Sequence, residues 1–263
     1  MQTHTLLQIS DLHVLPHPGE TMLGVDTEYY FHKVIEHAFA ANPQIDLVLV
    51  TGDLAQEPCL DSYRRIAEKL LSFGTPCICL PGNHDDFALM QSALNVDQVN
   101  CDKQAFLGNW QIIALNSQIP GKPGGRLETW ELQFLEDCLR TYPERNALVA
   151  VHHHCQSIDS PWMDAMMIEN SKEFLALLRR YPKAKAVICG HIHQVMEQQV
   201  NAIRVFSAPS TCFQFKPKSF DFSVADTAPG YRIINLYQDG FLETDIYRLP
   251  ETLSGLQPKA GPY

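Results

Sequence analysis

The stretch DLVLVTGD, residues 46–53, contains a run of apolar residues that ends in a glycine and a carboxylate. A short apolar run bounded by turn residues predicts a buried β-strand, here Asp46–Thr51. Gly52 and Asp53 follow directly, so a polar side chain stands where the buried strand ends. Because ligands of open α/β sheets bind beyond the carboxyl ends of the strands, Asp53 is a candidate site residue.

Strand patterns and helix patterns alternate on both sides of this stretch. Further strands are predicted at Thr5–Ile9, Cys77–Leu80, Trp110–Asn116, Ala147–Val151 and Ala184–Cys189. Helical periodicity is present in Thr27–Ala41, Cys59–Phe73, Glu128–Thr141 and Ser171–Arg180. The last third is predicted to form strands with few helices between them, at Ala202–Ser207, Tyr231–Leu236 and Phe241–Arg248. The pattern predicts an α/β fold in which β-α units are followed by β-hairpins.

The length of the chain, 263 residues, is enough for one large domain with a buried core. No internal repeat or low-complexity linker divides it, and Pro250–Tyr263 is expected to be a C-terminal tail that is extended or loosely docked. The N-terminus has no basic segment before a long apolar run, and no window reaches the roughly 18 apolar residues of a membrane span. We therefore expect a cytoplasmic protein with no membrane partner.

Charge and cysteine content exclude further classes. The net charge of −10 repels the phosphates of DNA and RNA, which predicts no nucleic-acid partner. The same field opposes an anionic small substrate unless the site itself is strongly cationic. The eight cysteines include no CxxC pair, and several lie in apolar runs. This predicts buried core residues in place of disulfides or a structural zinc site.

Polar residues follow five of the predicted strands, and seven of the 11 histidines lie among them. The five segments are DLH (11–13), GD (52–53), GNHD (82–85), HHH (152–154) and GHIH (190–193). One such segment alone is most often a solvated turn. Five in succession, each directly after an apolar run, favour a shared metal site at one edge of the fold.

The donor types in these segments restrict the metal. Asp, Asn and neutral His are hard to borderline ligands, and no thiolate is among them, which favours Mn²⁺, Fe, Zn²⁺ or Co²⁺. Seven candidate ligands are too many for one tetrahedral ion and suit two ions that share a carboxylate. Alternation along an extended segment places His152 and His154 on the same face, so spacing alone does not select among the three adjacent histidines.

In this order the five segments resemble the signature of the calcineurin-like metallophosphoesterases. Outside the signature, LGV (23–25), PSTCFQFKP (209–217) and APGYR (228–232) resemble the bacterial class III cyclic nucleotide phosphodiesterases, the CpdA type. The resemblance covers nearly the whole chain. It implies the metallophosphoesterase four-layer α/β/β/α sandwich with a mixed β-sheet core, formed by residues 1–249 as one catalytic domain.

The resemblance also implies two divalent ions, Fe²⁺ or Mn²⁺ ahead of Zn²⁺ or Co²⁺. One ion would be held by Asp11, His13 and His193. The other would be held by Asn83, His152 and His191. Asp53 would bridge the two ions.

The implied reaction is hydrolysis of 3′,5′-cyclic AMP to 5′-AMP by a hydroxide held between the ions. His84 would be the general acid, and Asp85 would orient it. The implied substrate contacts are His13, Asp53, Asn83, His84 and His193.

Two kinds of alternative remain. The chain could be another phosphoesterase: a nucleotidase, a pyrophosphatase, or a diesterase for a lipid head group or a 2′,3′-cyclic nucleotide. It could also be a non-catalytic scaffold, although such a protein should have lost ligands and all seven are present. Cys155 stands where the family often has proline, and no function is inferred for residues 118–127. The sequence leaves open the oligomeric state and the selectivity for cyclic AMP over cyclic GMP.

Overall fold

A computed structural model describes residues 3–257 of the chain. Its strands are β1 (Thr3–Ile9), β2 (Leu47–Thr51), β3 (Cys77–Leu80), β4 (Val99–Asn100), β5 (Gln104–Leu107), β6 (Trp110–Ala114), β7 (Asn146–Ala150), β8 (Ala184–Cys189), β9 (Glu197–Val200), β10 (Ile203–Ser207), β11 (Gln214–Phe215), β12 (Val224–Ala225), β13 (Gly230–Tyr237) and β14 (Leu242–Arg248). Its helices are α1 (Thr27–Ala41), α2 (Leu60–Leu71), α3 (Phe87–Leu94), α4 (Thr129–Thr141), α5 (Pro161–Asp164) and α6 (Ser171–Leu178).

Twelve of these strands form two mixed sheets of six strands each. The first sheet has the order β14-β13-β1-β2-β3-β4, in which β1 to β4 are parallel and β13 and β14 are antiparallel. The second has the order β5-β6-β7-β8-β10-β9, with parallel inner strands and antiparallel edges. β11 and β12 form a separate small hairpin.

The two sheets pack face to face through alternate side chains of their strands. One apolar cluster contains side chains from both sheets, among them Leu49, Trp110 and Ile188. The residues between these positions, such as Val48 and Val187, belong to a second cluster shared with the helices. Successive strand residues point to opposite faces of a sheet. One set of side chains therefore packs between the two sheets, and the other set packs against the helices that cover each outer face. The predicted four-layer α/β/β/α sandwich with a mixed β-sheet core is confirmed.

The predicted elements agree with the observed ones to within a few residues. α1 has the predicted bounds, Thr27–Ala41. It begins where the Asp26 side chain accepts a hydrogen bond from the backbone N–H of Tyr29, which satisfies one of the free donors of the first turn. The strand predicted at Trp110–Asn116 ends at Ala114, because Asn116 and the residues after it turn toward the site described below.

Several short or half-exposed elements were not predicted: α3, α5, β4, β5, β9, β11 and β12. The strands β5 and β9 lie at the edges of the second sheet and contain no buried residue, so they lack the apolar run that identifies an inner strand. The C-terminal segment is docked at least as far as Gln257, whose N–H donates to the Leu23 carbonyl. The rest of the predicted tail, residues 258–263, lies outside the described residues.

All eight cysteines are free, and all except Cys59 are buried. The prediction of buried core thiols is therefore confirmed for seven of them. Within residues 3–257, no helix is both long enough and apolar enough to cross a membrane.

Candidate metal centre

The five polar segments identified in the sequence meet at one edge of the two sheets. Three of them follow β1, β2 and β3 of the first sheet, and two follow β7 and β8 of the second sheet. Nearly all their side chains are buried, whereas Asn83 and His84 are half-exposed. The site therefore lies across the junction of the two sheets, with an opening at the GNHD loop.

Asp11, His13 and His193 form the first group of side chains. One ligand atom of each lies within 4.8 Å of those of the other two. The Nε2 atoms of His13 and His193 are 3.1 Å apart, and His193 Nε2 is 3.5 Å from Asp11 Oδ1. Two residues of this group come from the first sheet and one from the second.

Asp53 lies between this group and a second one. Its Oδ2 atom is 3.2 Å from His152 Nε2 and 3.9 Å from His13 Nε2. Its other oxygen, Oδ1, accepts a hydrogen bond from the backbone N–H of His84. His152 Nε2 is also 3.2 Å from Asn83 Oδ1. One carboxylate oxygen thus faces both groups, while the other fixes the GNHD loop.

The three consecutive histidines point to different neighbours. His152 reaches Asp53 and Asn83, as above. His153 Nδ1 lies 2.8 Å from the Ser117 hydroxyl, and His154 Nε2 lies 3.6 Å from an Asp164 oxygen. His152, His153 and His191 also form a compact group of ring nitrogens. The alternation that placed His152 and His154 on one face therefore does not bring His154 to the carboxylate of Asp53.

Three of the histidines have their tautomer fixed by a hydrogen bond on the outer side of the ring. The Nδ1 atoms of His152 and His193 lie 2.8 and 2.9 Å from the carbonyl oxygens of Thr51 and Phe213. His13 Nδ1 lies 2.7 Å from Gln56 Oε1. A carbonyl oxygen can only accept, so each Nδ1 carries a proton, and in the neutral form of each ring the Nε2 lone pair faces the site.

The donor set fits metal ions. Among residues 3–257, the buried Nε2 atom of His191 finds no hydrogen-bond partner, although an unpaired buried polar atom is costly. The inward lone pairs of His13 and His193 face each other, which no direct hydrogen bond between two unprotonated nitrogens can satisfy. Cations bound by the lone pairs of these three histidines and by the Asp11 and Asp53 carboxylates would give His191 Nε2 a partner and remove the repulsion between His13 and His193.

Burial is the main influence on ionisation in the site. Burial lowers the pKa of His13 to about 3 and lowers the pKa of His191 and His193 well below the usual range. It also raises the pKa of Asp11 to about 7. For His152, burial is outweighed by the charges of Asp53 and Asp11, which raise its pKa to about 9. Most imidazoles here are therefore neutral, which is the form that binds a metal.

Asp85 holds two loops of the site together. Its carboxylate accepts hydrogen bonds from the backbone N–H groups of Leu54, Ala55 and Gly82 and from the Tyr63 hydroxyl, at 2.9–3.1 Å. A carboxylate has about four lone-pair sites, and these four donors match that number. Asp85 thus connects the loop after Asp53 to the GNHD loop, which contains His84.

Left-handed backbone conformations recur at the predicted ligands. Five of the seven have positive φ angles, between 45° and 69°: Asp11, His13, Asp53, His191 and His193. Gly52, before Asp53, has a φ of 95°, and a Cβ atom there would lie 2.3 Å from His152 Nδ1. The chain thus bends sharply after β1, β2 and β8, which turns the next side chains toward the site.

The sequence did not identify several residues that support the cluster. Gln56 fixes the His13 tautomer. Its position three residues after Asp53 was the one sequence feature that could have identified it. The Ser210 hydroxyl donates to the Asp11 carbonyl, and Gln118 contacts the GNHD loop. Gln118 lies in the segment for which the sequence predicted no function.

Comparison with known proteins agrees with this geometry. Residues 4–195 match the family model of the calcineurin-like phosphoesterases. The 3′,5′-cyclic adenosine monophosphate phosphodiesterase CpdA of Escherichia coli is 39% identical over 248 residues, which cover 94% of this chain and 90% of that protein. A 3′,5′-cyclic-nucleotide phosphodiesterase of Nostoc is 35% identical, with coverage of 95% and 94%.

A solved structure extends the similarity of the fold. The crystal structure of a dimetal phosphatase from Danio rerio superposes with a TM-score of 0.62, over 88% of this chain and 95% of that one. The sequence identity is 13%, so this similarity concerns the fold alone.

Proposed function

Since this chain belongs to the calcineurin-like phosphoesterase family, we propose that it hydrolyses 3′,5′-cyclic AMP to 5′-AMP at a centre of two divalent metal ions. The observation that carries the proposal is the shared carboxylate of Asp53, with one oxygen facing histidines on both sides of it. Similarity to phosphodiesterases over more than nine-tenths of the chain supports the substrate class.

The two ions are proposed to be held by different sets of side chains. Asp11, His13 and His193 hold one, Asn83, His152 and His191 hold the other, and Asp53 contacts both. When bound, the ions supply an activated water near neutral pH and offset the charge of the phosphate. Nitrogen and oxygen donors without a thiolate support iron or manganese, with zinc or cobalt as substitutes.

The chain's own residues orient the substrate and move the proton. In the proposed arrangement, the phosphate lies beside His13, Asp53, Asn83, His84 and His193. His84 is half-exposed, and its ring centroid is 5.1 Å from that of His13, so it stands at the open side of the cluster. With the 3′-oxygen of the nucleotide next to it, His84 protonates that oxygen as it leaves, and the 5′ ester is retained.

The segment PSTCFQFKP links the substrate subfamily to the site. The Ser210 hydroxyl donates to the Asp11 carbonyl at 2.8 Å, and the Phe213 carbonyl accepts from His193 Nδ1 at 2.9 Å. The Phe215 ring stacks on His193, with centroids 4.2 Å apart. A segment typical of the cyclic nucleotide phosphodiesterases therefore supports two of the proposed ligands, which favours cyclic AMP over other phosphate esters.

We further propose that the protein acts in the cytoplasm and on a small molecule. Eight cysteines without a disulfide support a reducing compartment, because disulfides form and persist in oxidising ones. A net charge of −10 supports a partner other than nucleic acid.

The product assay tests the proposal directly. After chelation and reloading with Mn²⁺ or Fe²⁺, the protein is expected to convert cyclic AMP to 5′-AMP with little 3′-AMP. In ¹⁸O-labelled water, the label should enter the phosphate, because the attack is at phosphorus. Chromatography and mass spectrometry of the products measure both. Absence of cyclic AMP turnover under Mn²⁺, Fe²⁺, Co²⁺ and Zn²⁺, with rapid cleavage of a monoester or pyrophosphate, would overturn the substrate and retain the metal centre.

Replacement of Gln56 by methionine tests the fixed tautomer of His13. Methionine preserves the length of the side chain, but its thioether is only a weak acceptor for the Nδ1 proton, so the orientation of His13 is no longer firmly fixed. We expect the affinity for the ion at Asp11 and His13 to fall by about 10–100-fold, the usual effect of removing such a partner. Isothermal titration with Mn²⁺ measures it. Gln91→Met, on an exposed position of α3, is the matched control. Unchanged affinity in Gln56→Met would contradict the role.

A further inference from the structure

The GNHD loop, residues 82–85, carries the proposed ligand Asn83 and the proposed acid His84, and it is held from two directions. On the side of the first sheet, the Asp85 carboxylate ties it to the backbone of Leu54 and Ala55. On the side of the second sheet, the amide of Gln118 reaches it. The Nε2 atom of Gln118 donates to the Gly82 carbonyl at 2.9 Å and also donates to the Asp85 carbonyl. These two carbonyls flank Asn83 and His84.

Gln118 is itself fixed to the second sheet. It lies four residues after the end of β6, and its backbone N–H donates to Asn116 Oδ1 at 2.8 Å. The N–H of Asn116 donates to a Glu131 carboxylate oxygen at 3.1 Å, and the other oxygen of Glu131 accepts from Lys103 at 2.6 Å. The amide of Gln118 is therefore an anchored connection between the second sheet and a loop of the first sheet.

Such a connection matters because each proposed ion takes ligands from both sheets. Asn83, after β3, and His152, after β7, belong to different sheets, and their donor atoms are 3.2 Å apart. The hydrophobic effect is non-directional, so the apolar cluster holds the two sheets together. It does not fix the lateral position of one sheet relative to the other as closely as metal ligands from both sheets require. Directional hydrogen bonds across the junction fix that offset: His152 Nδ1 donates to the Thr51 carbonyl at the strand ends, and Gln118 donates to the GNHD loop.

We propose that Gln118 is a positioning residue for the hydrolysis proposed above, and that it aligns Asn83 and His84 of one sheet with His152 of the other. The proposal rests on the proposed function for its kinetic consequence only. Both N–H groups of the amide are used, one on each carbonyl, so no other uncharged side chain of this length can replace it.

Two variants of equal length separate this role from simple packing. Gln118→Met removes both donors and keeps the apolar stem. Gln118→Glu places a carboxylate against two carbonyl oxygens. Gln199→Met is the control, because the Gln199 amide also donates to a backbone carbonyl but is exposed on the edge strand β9, away from the site.

The first readout is independent of metal and substrate. In the metal-free protein, amide hydrogen exchange across residues 82–86 is expected to accelerate about tenfold in Gln118→Met and more in Gln118→Glu. Exchange in β1 and β7 should stay as in the wild type. Titration with Mn²⁺ should then show the ion at Asn83, His152 and His191 weakened about 10–100-fold relative to the other ion. Gln199→Met should match the wild type in both measurements.

The kinetic readout completes the test. With cyclic AMP, kcat should fall about 10–100-fold in Gln118→Met while KM changes less, because the loop is displaced at the reacting centre. Unchanged hydrogen exchange at residues 82–86, or an equal loss of affinity for both ions, would contradict the positioning role of Gln118. A lower melting temperature with wild-type kcat per folded molecule would also overturn it. Failure of the wild type to cleave cyclic AMP would contradict the proposed function. The hydrogen-exchange and Mn²⁺ titration results would then still test the role of Gln118, because neither measurement depends on the substrate.

Discussion

Replacing Asp53 with asparagine is expected to abolish tight binding of the metal pair and to reduce turnover of cyclic AMP about 10³-fold, since several kcal/mol of charge stabilisation are lost. The asparagine oxygen can still accept the His84 N–H, as Asp53 Oδ1 does. The amide nitrogen then faces His152 and His13 in place of the charged Oδ2. The change therefore removes the shared ligand and leaves the shape of the loop nearly intact.

Metal content by mass spectrometry, measured after desalting, tests the expectation alongside the rate. Asp61→Asn is the matched control, because Asp61 is exposed on α2 and pairs only with Arg64 within the described part of the chain. Circular dichroism of both variants should match the wild type. Two tightly bound ions per chain and near-normal turnover in Asp53→Asn would show that this carboxylate is not shared by the ions.

Replacing His84 with alanine is expected to leave both ions bound and to slow cyclic AMP turnover by about 10²–10⁴-fold, the usual span for a general acid. The leaving 3′-alkoxide is strongly basic and needs a proton, which His84 is proposed to supply. A nitrophenolate leaving group departs without one, so hydrolysis of bis(p-nitrophenyl) phosphate should lose far less. The difference between the two substrates is the signature of proton donation.

Steady-state kinetics on both substrates, with metal content measured in parallel, distinguishes this role from a structural one. His17→Ala is the control, because His17 is an exposed histidine outside the cluster. Equal losses on both substrates would argue that His84 orients the phosphate instead of protonating the leaving group. Loss of metal in His84→Ala would instead make it a ligand.

The inner strands and the position of the site could be predicted from the sequence because both depend on simple patterns. Buried strands such as Leu47–Thr51 are continuous apolar runs, and the polar residues after them have no use in a core. Because β1, β2 and β3 are parallel in one sheet and β7 and β8 are parallel in the other, their five carboxyl ends meet at one edge of the two sheets. The edge strands β5 and β9 gave no such pattern, because they contain no buried residue.

Side-chain direction within the site could not be predicted in the same way. Strand alternation grouped His152 with His154, but the chain leaves the strand at Ala150, and the three rings point to Asp53, Ser117 and Asp164. The role of Gln118 could not be predicted from the sequence either, because its partners are backbone carbonyls of a loop more than thirty residues away. Contacts of that kind depend on how two sheets meet, which local sequence does not encode.

The left-handed backbone at the proposed ligands bears on how this protein can evolve. Asp11, His13, Asp53, His191 and His193 each hold a conformation that glycine adopts freely and that costs other residues on the order of 1 kcal/mol. Selection for activity retains these residues against that cost. A change to glycine at any of these positions would relieve the backbone strain but would remove a proposed ligand and the contacts of a buried side chain. Efforts to stabilise the protein by relieving strained backbone should therefore leave these five positions unchanged, because the strained residues are the proposed ligands.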